Sequence, residues 1–137
     1  MKFKYSQYPT PDGASLYRPS IPITFQNGSK SITVEALIDS GADFTVLPIE
    51  IAGVLGIKLN IKNKESFQGA GGNPFNVYPS PTKLEHILRQ DGFRPINWKA
   101  NVYFAESQPM ILLGNKGFLD QFEIRLRGKQ REIEIVR

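Results

Sequence analysis

Alternating and continuous runs of apolar residues predict a chain built mainly from short β-strands. Residues 32–38 begin as an alternation and end in the apolar run Ala36-Leu37-Ile38, which indicates a strand that becomes buried on both faces. Asn27-Gly28, just before it, favours a tight hairpin turn. The same criteria predict strands at 23–25, 100–104 and 110–113.

Two further hairpins and two short helices complete the predicted elements. Residues 66–79 predict a hairpin with a Gly-rich turn, and residues 122–136 predict a C-terminal hairpin that turns at Gly128-Lys129. A proline start and a glycine stop predict a short helix at 49–55, and a second short helix is expected at about 115–121. Many short strands with one or two short helices indicate an all-β fold.

Two stretches of the chain are less regular than the rest. Residues 1–20 hold several prolines, so we expect an extended or irregular N-terminal arm with one edge strand at 2–5. Residues 79–99 show helical spacing at Leu84, Ile87 and Leu88, but the same residues fit a strand equally well. The sequence leaves the role of this second stretch open.

Composition narrows both the fold and the chemistry. A chain of 137 residues with 40% hydrophobic content predicts one folded domain that spans residues 1–137. The absence of cysteine excludes disulfides, thiolate metal sites and cysteine nucleophiles, and the single histidine excludes a multi-histidine metal site. We expect no metal and no cofactor, which leaves carboxylate, hydroxyl or lysine chemistry, or no chemistry at all.

Charge and hydropathy change this picture little. The net charge is +4, but the basic residues of 125–131 alternate with glutamates and apolar residues, as on the solvated face of a hairpin. This pattern does not favour a nucleic-acid partner. Residues 1–6 lack the apolar core of a signal peptide, and no apolar run approaches the ~20 residues that cross a bilayer. We therefore expect no membrane association and a cytoplasmic location.

The candidate chemistry lies directly after the apolar strand, in Asp39-Ser40-Gly41. An acid at the end of a buried strand must leave the sheet at a turn, because burial of an unpaired carboxylate is costly. Ser40 adds a hydroxyl, and Gly41 lets another backbone approach closely. From the spacing alone, an acid–base site and an ordinary turn in which Asp39 accepts backbone hydrogen bonds remain equal alternatives.

Three features in order resemble the aspartic proteases, and specifically the single-lobe retropepsin-like family. Leu37-Ile38-Asp39-Ser40-Gly41-Ala42 resembles the first family signature, and Met110-Ile111-Leu112-Leu113-Gly114 resembles the second. The Gly-rich hairpin lies between them, where the family has its flap. The resemblance covers residues 21–126 and implies an acid-protease fold: a closed β-barrel lobe with one or two short helices that forms a homodimer.

The resemblance also implies roles for individual residues. Asp39 matches the catalytic aspartate, and Ser40 matches the hydroxyl residue that braces the two active-site loops. The other implied positions are active-site support from Gly41 and Gly114, and substrate binding by Ala42, Asp43, Gly69, Ala70 and Gly71. In retroviral members the acid at Asp43 pairs with an arginine after the second-motif glycine. Here Asn115 and Lys116 follow that glycine and no arginine does; Lys116 and Arg125 are candidate substitutes, but nothing in the sequence supports the pairing, and the partner of Asp43 stays open.

Only one Asp-Ser/Thr-Gly triplet occurs in the chain. The resemblance implies a carboxylate pair that shares one proton and activates water, so the second Asp39 must come from another copy. We expect an aspartic endopeptidase that hydrolyses peptides or unfolded proteins as a homodimer under mildly acidic conditions. The alternative is a catalytically weak or inactive dimer that binds peptides or protein partners. His86 is expected at the surface or half-buried, not as a catalytic base.

Overall fold

The computed structural model describes residues 1–69 and 72–137, and nearly all of its regular structure is β. The strands are β1 Lys2–Lys4, β2 Ser6–Pro9, β3 Ser15–Arg18, β4 Ser20–Asn27, β5 Lys30–Ile38, β6 Val46–Pro48, β7 Glu65–Gln68, β8 Pro74–Pro79, β9 Leu84–Leu88, β10 Ile96–Ala100, β11 Tyr103–Ala105, β12 Leu112–Leu113, β13 Glu123–Arg127 and β14 Glu132–Val136. The helices are α1 Ile49–Val54 and the 3-10 turns Ile61–Asn63, Leu119–Gln121 and Gly128–Gln130. The all-β prediction is confirmed.

The main sheet brings the two predicted signatures together. Its nine strands lie in the order β10-β9-β4-β5-β12-β6-β11-β8-β7. β12 comes late in the chain, yet it lies between β5 and β6 and runs parallel to β5, with Leu113 opposite Ile38. Since β5 leads into residues 39–45 and β12 leads into Gly114, both segments leave the sheet side by side.

The hairpin of β4 and β5 forms as the sequence predicts. A two-residue loop, Gly28-Ser29, joins strands that pair from Asn27 opposite Lys30 onward. Gly28 has a φ of 60°, a left-handed conformation that glycine adopts without a steric cost. Along β5 the burial increases until Ala36 and Ile38 are both buried, which fixes the strand end from which the site begins.

One hydrophobic core holds these strands in place. It combines β4 and β5 with α1, β9, β11, β12 and the C-terminal hairpin. Its largest fully buried side chains are Phe25, Phe104, Phe118, Ile21, Ile23, Leu47, Leu55, Leu84, Leu88, Leu113, Ile133 and Ile135. Because Leu113 belongs to this set, the strand that carries the second signature is anchored in the core.

The C-terminal hairpin is confirmed and belongs to a separate sheet. Its strands β13 and β14 pair with β1 in the order β1-β14-β13. On one face, Arg127 contacts Glu134 at 2.6 Å and Glu132 at 3.2 Å. Arg125 and Arg127 are thus paired with glutamates of the same hairpin, as the alternation indicates.

The N-terminal arm is more regular than the sequence predicts. After β1, residues 6–18 form a hairpin of β2 and β3, with Gln7 opposite Tyr17. The prolines did not prevent it, since Pro9 lies at the strand end. Gly13, with a φ of 81°, donates its N–H to Thr10 and closes the turn.

Other element predictions need correction. Residues 79–99 contain strands, β9 and β10, and their helical spacing is incidental. The strand predicted at 100–104 is interrupted, because β10 ends at Ala100 and β11 starts at Tyr103. The helix expected at about 115–121 is only the 3-10 turn Leu119–Gln121. A closed barrel is not confirmed, because in the described residues β10 and β7 are edge strands of the main sheet.

His86 is fully buried, so the prediction of a surface or half-buried residue is wrong. Its ring lies between Phe25 and Trp98, with centroids 4.9 and 5.1 Å away. Nδ1 lies 2.9 Å from the carbonyl oxygen of Leu84, and Nε2 has no hydrogen-bond partner. Burial lowers the pKa of His86 to about 4.

None of the described helices has the length and apolarity to span a membrane.

Candidate active site

Asp39 is held at the point where β5 ends. Its backbone N–H donates to the carbonyl oxygen of Leu113 at 3.0 Å, so the residue is still tied to β12. Its half-buried carboxylate accepts the N–H of Gly41 at 2.9 Å. Its carbonyl accepts the N–H of Ala42 at 3.1 Å, which closes a tight turn. The loop therefore fixes the direction of the carboxylate and leaves part of it exposed.

The two signature segments interlock beside this turn. The N–H groups of Asn115 and Lys116 donate to the carbonyls of Ala42 and Asp43, both at 2.8 Å. The N–H of Gly114 donates to the buried hydroxyl of Thr45 at 3.3 Å. These bonds hold residues 39–45 against residues 114–116 through two backbone carbonyls and one hydroxyl, that of Thr45.

The Asn115 side chain is a positioning element that the sequence did not reveal. Its amide donates to the carbonyl of Ser40 at 2.8 Å and to the carbonyl of Ala42 at 3.0 Å. Loop carbonyls with no strand partner need such donors. The sequence held one signal of this role, the departure from the family pattern at position 115. An asparagine there satisfies backbone carbonyls of the loop, which an arginine need not do.

Asp43 has no ion-pair partner in the part of the chain that the structure describes. Arg125, one of the two candidate cations, lies 3.6 Å from Glu123 and 3.8 Å from Glu134. Lys116 approaches Asp43 through its backbone N–H, not through an ion pair within 4.0 Å. Within the described residues, neither candidate cation pairs with Asp43, and the question that the sequence leaves open stays open.

The flap hairpin is formed by β7 and β8, as predicted. The strands pair from Glu65 opposite Val77 to Gln68 opposite Pro74. At the turn, the N–H of Gly72 donates to the carbonyl of Gly69 at 3.2 Å. Ala70 and Gly71, predicted to bind substrate, lie outside the described residues.

Three aromatic rings join the flap to the active-site loop. Phe67 of β7 lies 5.8 Å from Phe44 and 4.8 Å from Tyr103, measured between ring centroids. Phe44 and Tyr103 are themselves 5.0 Å apart. Contacts of this kind stabilise by about 1 kcal/mol each. The rings therefore fix the height of the flap above the loop, and the sequence analysis did not identify Phe44 or Tyr103 as site residues.

A glutamate fixes the base of the flap. The Glu106 carboxylate accepts hydrogen bonds from the hydroxyl of Tyr78 at 2.8 Å and from the amide of Asn76 at 3.1 Å. These donors hold the pKa of Glu106 below its usual value. The hydrogen bond between Tyr78 and Glu106 also raises the pKa of the Tyr78 hydroxyl. Burial, with a smaller contribution from Glu65, raises the pKa of Tyr103.

Loop and flap enclose an open cleft of about 480 Å³. Its walls are Asp39, Gly41, Ala42, Asp43, Phe44, Val46, Ser66, Phe67, Gln68, Gly69, Phe75, Gln108 and Leu112. Five of the predicted site residues line this cleft, namely Asp39, Gly41, Ala42, Asp43 and Gly69. Ser40 is exposed beside the cleft, and Gly114 is buried behind it. The cleft thus combines apolar walls with a fixed carboxylate, an arrangement suited to an extended peptide and to acid–base chemistry.

The polar groups of the cleft do not form a metal site. In residues 1–69 and 72–137, no three histidine or carboxylate side chains cluster closely enough to hold a metal ion. Asp39 and Asp43 are the carboxylates among the cleft-lining residues.

Comparisons with known proteins agree with this geometry. No curated protein sequence matches the chain. The retroviral protease-like domain of Ddi1 from Leishmania major has a similar structure, with a TM-score of 0.56, 16% identity, and coverage of 86% of this chain and 87% of that one. A retropepsin-like aspartic protease from Rickettsia conorii is similar with a TM-score of 0.56, 16% identity, and coverage of 99% and 98%.

The sequence profile described as "Aspartyl protease" matches residues 21–116. This range contains both signature segments and the flap, that is, every element that surrounds the cleft. It amounts to well over half of the chain. The resemblance predicted from the sequence is confirmed, and the chain belongs to the aspartyl protease family.

Proposed function

We propose that this protein is an aspartic endopeptidase that acts as a homodimer. The observation that carries the proposal is the half-buried carboxylate of Asp39, fixed by Gly41 on the floor of a peptide-sized cleft beneath a flap. One such carboxylate cannot act as base and acid at the same time. A second copy supplies the other, and the exposed Ser40-Gly41 turn is the surface on which the copies meet.

The hydrolysis uses two carboxylates that share one proton. The ionised Asp39 accepts a proton from water as the water oxygen forms a bond to the scissile carbonyl carbon. The protonated Asp39 of the second copy donates its proton to the carbonyl oxygen. The resulting tetrahedral species transfers a proton to the amide nitrogen, the C–N bond breaks, and the products are a carboxylic acid and an amine.

The cleft walls indicate the kind of peptide that fits. Phe44, Phe67 and Leu112 give apolar surface to the cleft that Asp39 also lines. An extended peptide with apolar side chains on both sides of the cleaved bond buries those side chains here. We therefore propose unfolded or extended polypeptides with apolar residues at the cleavage site as the substrate class.

The test is cleavage of an unfolded protein between mildly acidic and neutral pH. We expect cleavage by the wild-type chain, inhibition by a statine-type inhibitor, and loss of cleavage in Asp39→Asn. Asp91→Asn is the matched control, because Asp91 is an exposed aspartate that also precedes a glycine. Cleavage that persists in Asp39→Asn contradicts the mechanism. Binding of the inhibitor without any cleavage would favour the alternative of a peptide-binding dimer.

A further inference from the structure

A second cleft adjoins the candidate active site across Phe44. It has a volume of about 560 Å³, and we call it the basic cleft. Phe44 lines both clefts, and Tyr103, which packs against Phe44, lines the basic cleft. The two clefts therefore share an aromatic wall. A chain that leaves the first cleft past Phe44 reaches the second directly.

The basic cleft carries three lysines, Lys83, Lys99 and Lys116, and all three are exposed. In the part of the chain that the structure describes, none of them has a carboxylate within 4.0 Å. Glu85 is the cross-strand neighbour of Lys99, but the two form no ion pair. The lysines come from three separate segments, so the fold, and not the local sequence, brings them together.

The acidic group among the lining residues offsets only one of the three lysine charges. Asp120 is the acid among the lining residues. One of its carboxylate oxygens already accepts the N–H of Gly117 at 3.0 Å and the amide of Gln121 at 3.1 Å. The cleft as a whole is therefore positively charged. Its remaining walls, such as Pro79 and Val102, offer apolar surface against which side-chain stems can pack.

We infer that the basic cleft binds an acidic stretch of the polypeptide whose neighbouring residues occupy the cleft of Asp39. The inference rests on the proposed function only in taking a polypeptide as the ligand. Lys116 donates its N–H to the carbonyl of Asp43, which lines the cleft of Asp39. An extended chain advances about 3.3 Å per residue, so a few residues beyond the cleaved bond bring it to this side of the cleft. Each exposed lysine–carboxylate pair is weak, but three lysines that converge on one segment discriminate by charge.

The experiment measures binding to the full-length Asp39→Asn protein, which leaves the peptide uncut. The probes are two fluorescent peptides with the same apolar segment, one followed by a run of glutamates and the other by a run of glutamines. The basic-cleft variant combines Lys83→Gln, Lys99→Gln and Lys116→Gln. The control variant combines Lys58→Gln, Lys62→Gln and Lys129→Gln, exposed lysines outside the cleft, with the same loss of charge.

We expect the basic-cleft variant to bind the glutamate peptide about tenfold more weakly, and the control variant to lose less than about twofold. The glutamine peptide binds both variants equally, and higher salt weakens only the glutamate peptide. Equal binding of the two peptides to the Asp39→Asn protein with all its lysines intact overturns the inference. An equal loss of affinity for the glutamate peptide in the basic-cleft and control variants also overturns it. Tighter binding of a single-stranded oligonucleotide, lost only in the basic-cleft variant, also overturns it.

The outcomes separate this inference from the proposed function. If the chain with Asp39 intact cleaves neither peptide, but the glutamate peptide still requires the three lysines, the proposed function fails and the basic cleft stands. If it cleaves both peptides with the same kcat/KM, the proposed function stands and the basic cleft fails.

Discussion

At the scale of single residues, Gly114 is the position where the site tolerates least change. A Cβ atom placed there would lie 2.3 Å from the carbonyl oxygen of Phe44 and 2.8 Å from that of Ala42. Both contacts are with backbone, which no side-chain movement relieves. The glycine is therefore required by the close approach of two loops, and its role in the site follows from packing alone.

Gly114→Ala should lower the free energy of unfolding by about 3 kcal/mol and disorder the turn that holds Asp39. Denaturation by urea measures the first effect. The control is Gly53→Ala, because a Cβ at Gly53 meets nothing within 4 Å and the residue lies in α1. Alanine there is expected to be neutral or to stabilise by up to about 1 kcal/mol. If both variants unfold alike, the interlocking of the loops does not depend on the missing side chain.

His86 gives the fold a sensitivity to acid. Its pKa falls from 6.5 to about 4 on folding, so the unfolded chain binds its proton first as the pH falls. Stability contributed by the neutral ring is complete above pH 6.5 and is lost progressively down to about pH 4. The total loss is about 3 kcal/mol.

His86→Leu should remove this part of the pH dependence, because leucine has no proton to bind. Urea unfolding at pH 7 and pH 4.5 should show a smaller decline in stability for the variant than for the wild type. Carboxylates contribute equally to both proteins, so the difference between the two declines isolates the histidine. A variant that declines as steeply as the wild type would show that burial does not hold His86 neutral.

At the scale of elements, the placement of β12 shows what the sequence could and could not predict. The apolar run at 110–113 predicted a strand, and Asp39-Ser40-Gly41 predicted a turn. Neither pattern predicts that β12 lies between β5 and β6, because that pairing joins residues far apart in the chain. The family resemblance supplied the order of the site elements. The interlocking by Asn115, Thr45 and Phe44 depends on side-chain and backbone contacts that only the structure shows.

The flap illustrates the same limit. Its strands and Gly-rich turn were predictable from alternation and glycine content, whereas the ring contacts that join it to the loop were not. Phe67→Ala removes the ring that contacts both Phe44 and Tyr103. We expect amide exchange in β7 and β8 to become about tenfold faster, while exchange in β4 and β5 changes little.

Hydrogen exchange with mass spectrometry measures this local effect. The matched control is Phe93→Ala, because Phe93 is 55% exposed and lies outside the flap and the cleft. It should leave exchange in the flap unchanged. Equal exchange rates in wild type and Phe67→Ala would mean that the β7–β8 and β8–β11 pairing alone holds the flap.

At the scale of the whole molecule, the chain offers a well-formed half of a proposed two-fold site. Its core is built from residues of one copy. Under the proposed mechanism, one copy supplies a single Asp39, and the second Asp39 comes from a partner that meets the exposed Ser40-Gly41 turn. A dimer of this kind makes activity depend on the square of the chain concentration when the chains are dilute.

Mixing experiments with the folded protein test whether activity requires two copies of Asp39. When wild-type chains exchange subunits with an equal amount of Asp39→Asn chains, only about a quarter of the dimers hold two carboxylates. The activity of a fixed amount of wild type should therefore fall to about half, because the variant removes wild-type chains into inactive pairs. An equal amount of Asp91→Asn chains, whose carboxylate at position 39 is intact, should instead add to the activity. If Asp39→Asn leaves the wild-type rate unchanged although sedimentation shows mixed dimers, a single Asp39 is sufficient, and the paired-carboxylate mechanism is wrong.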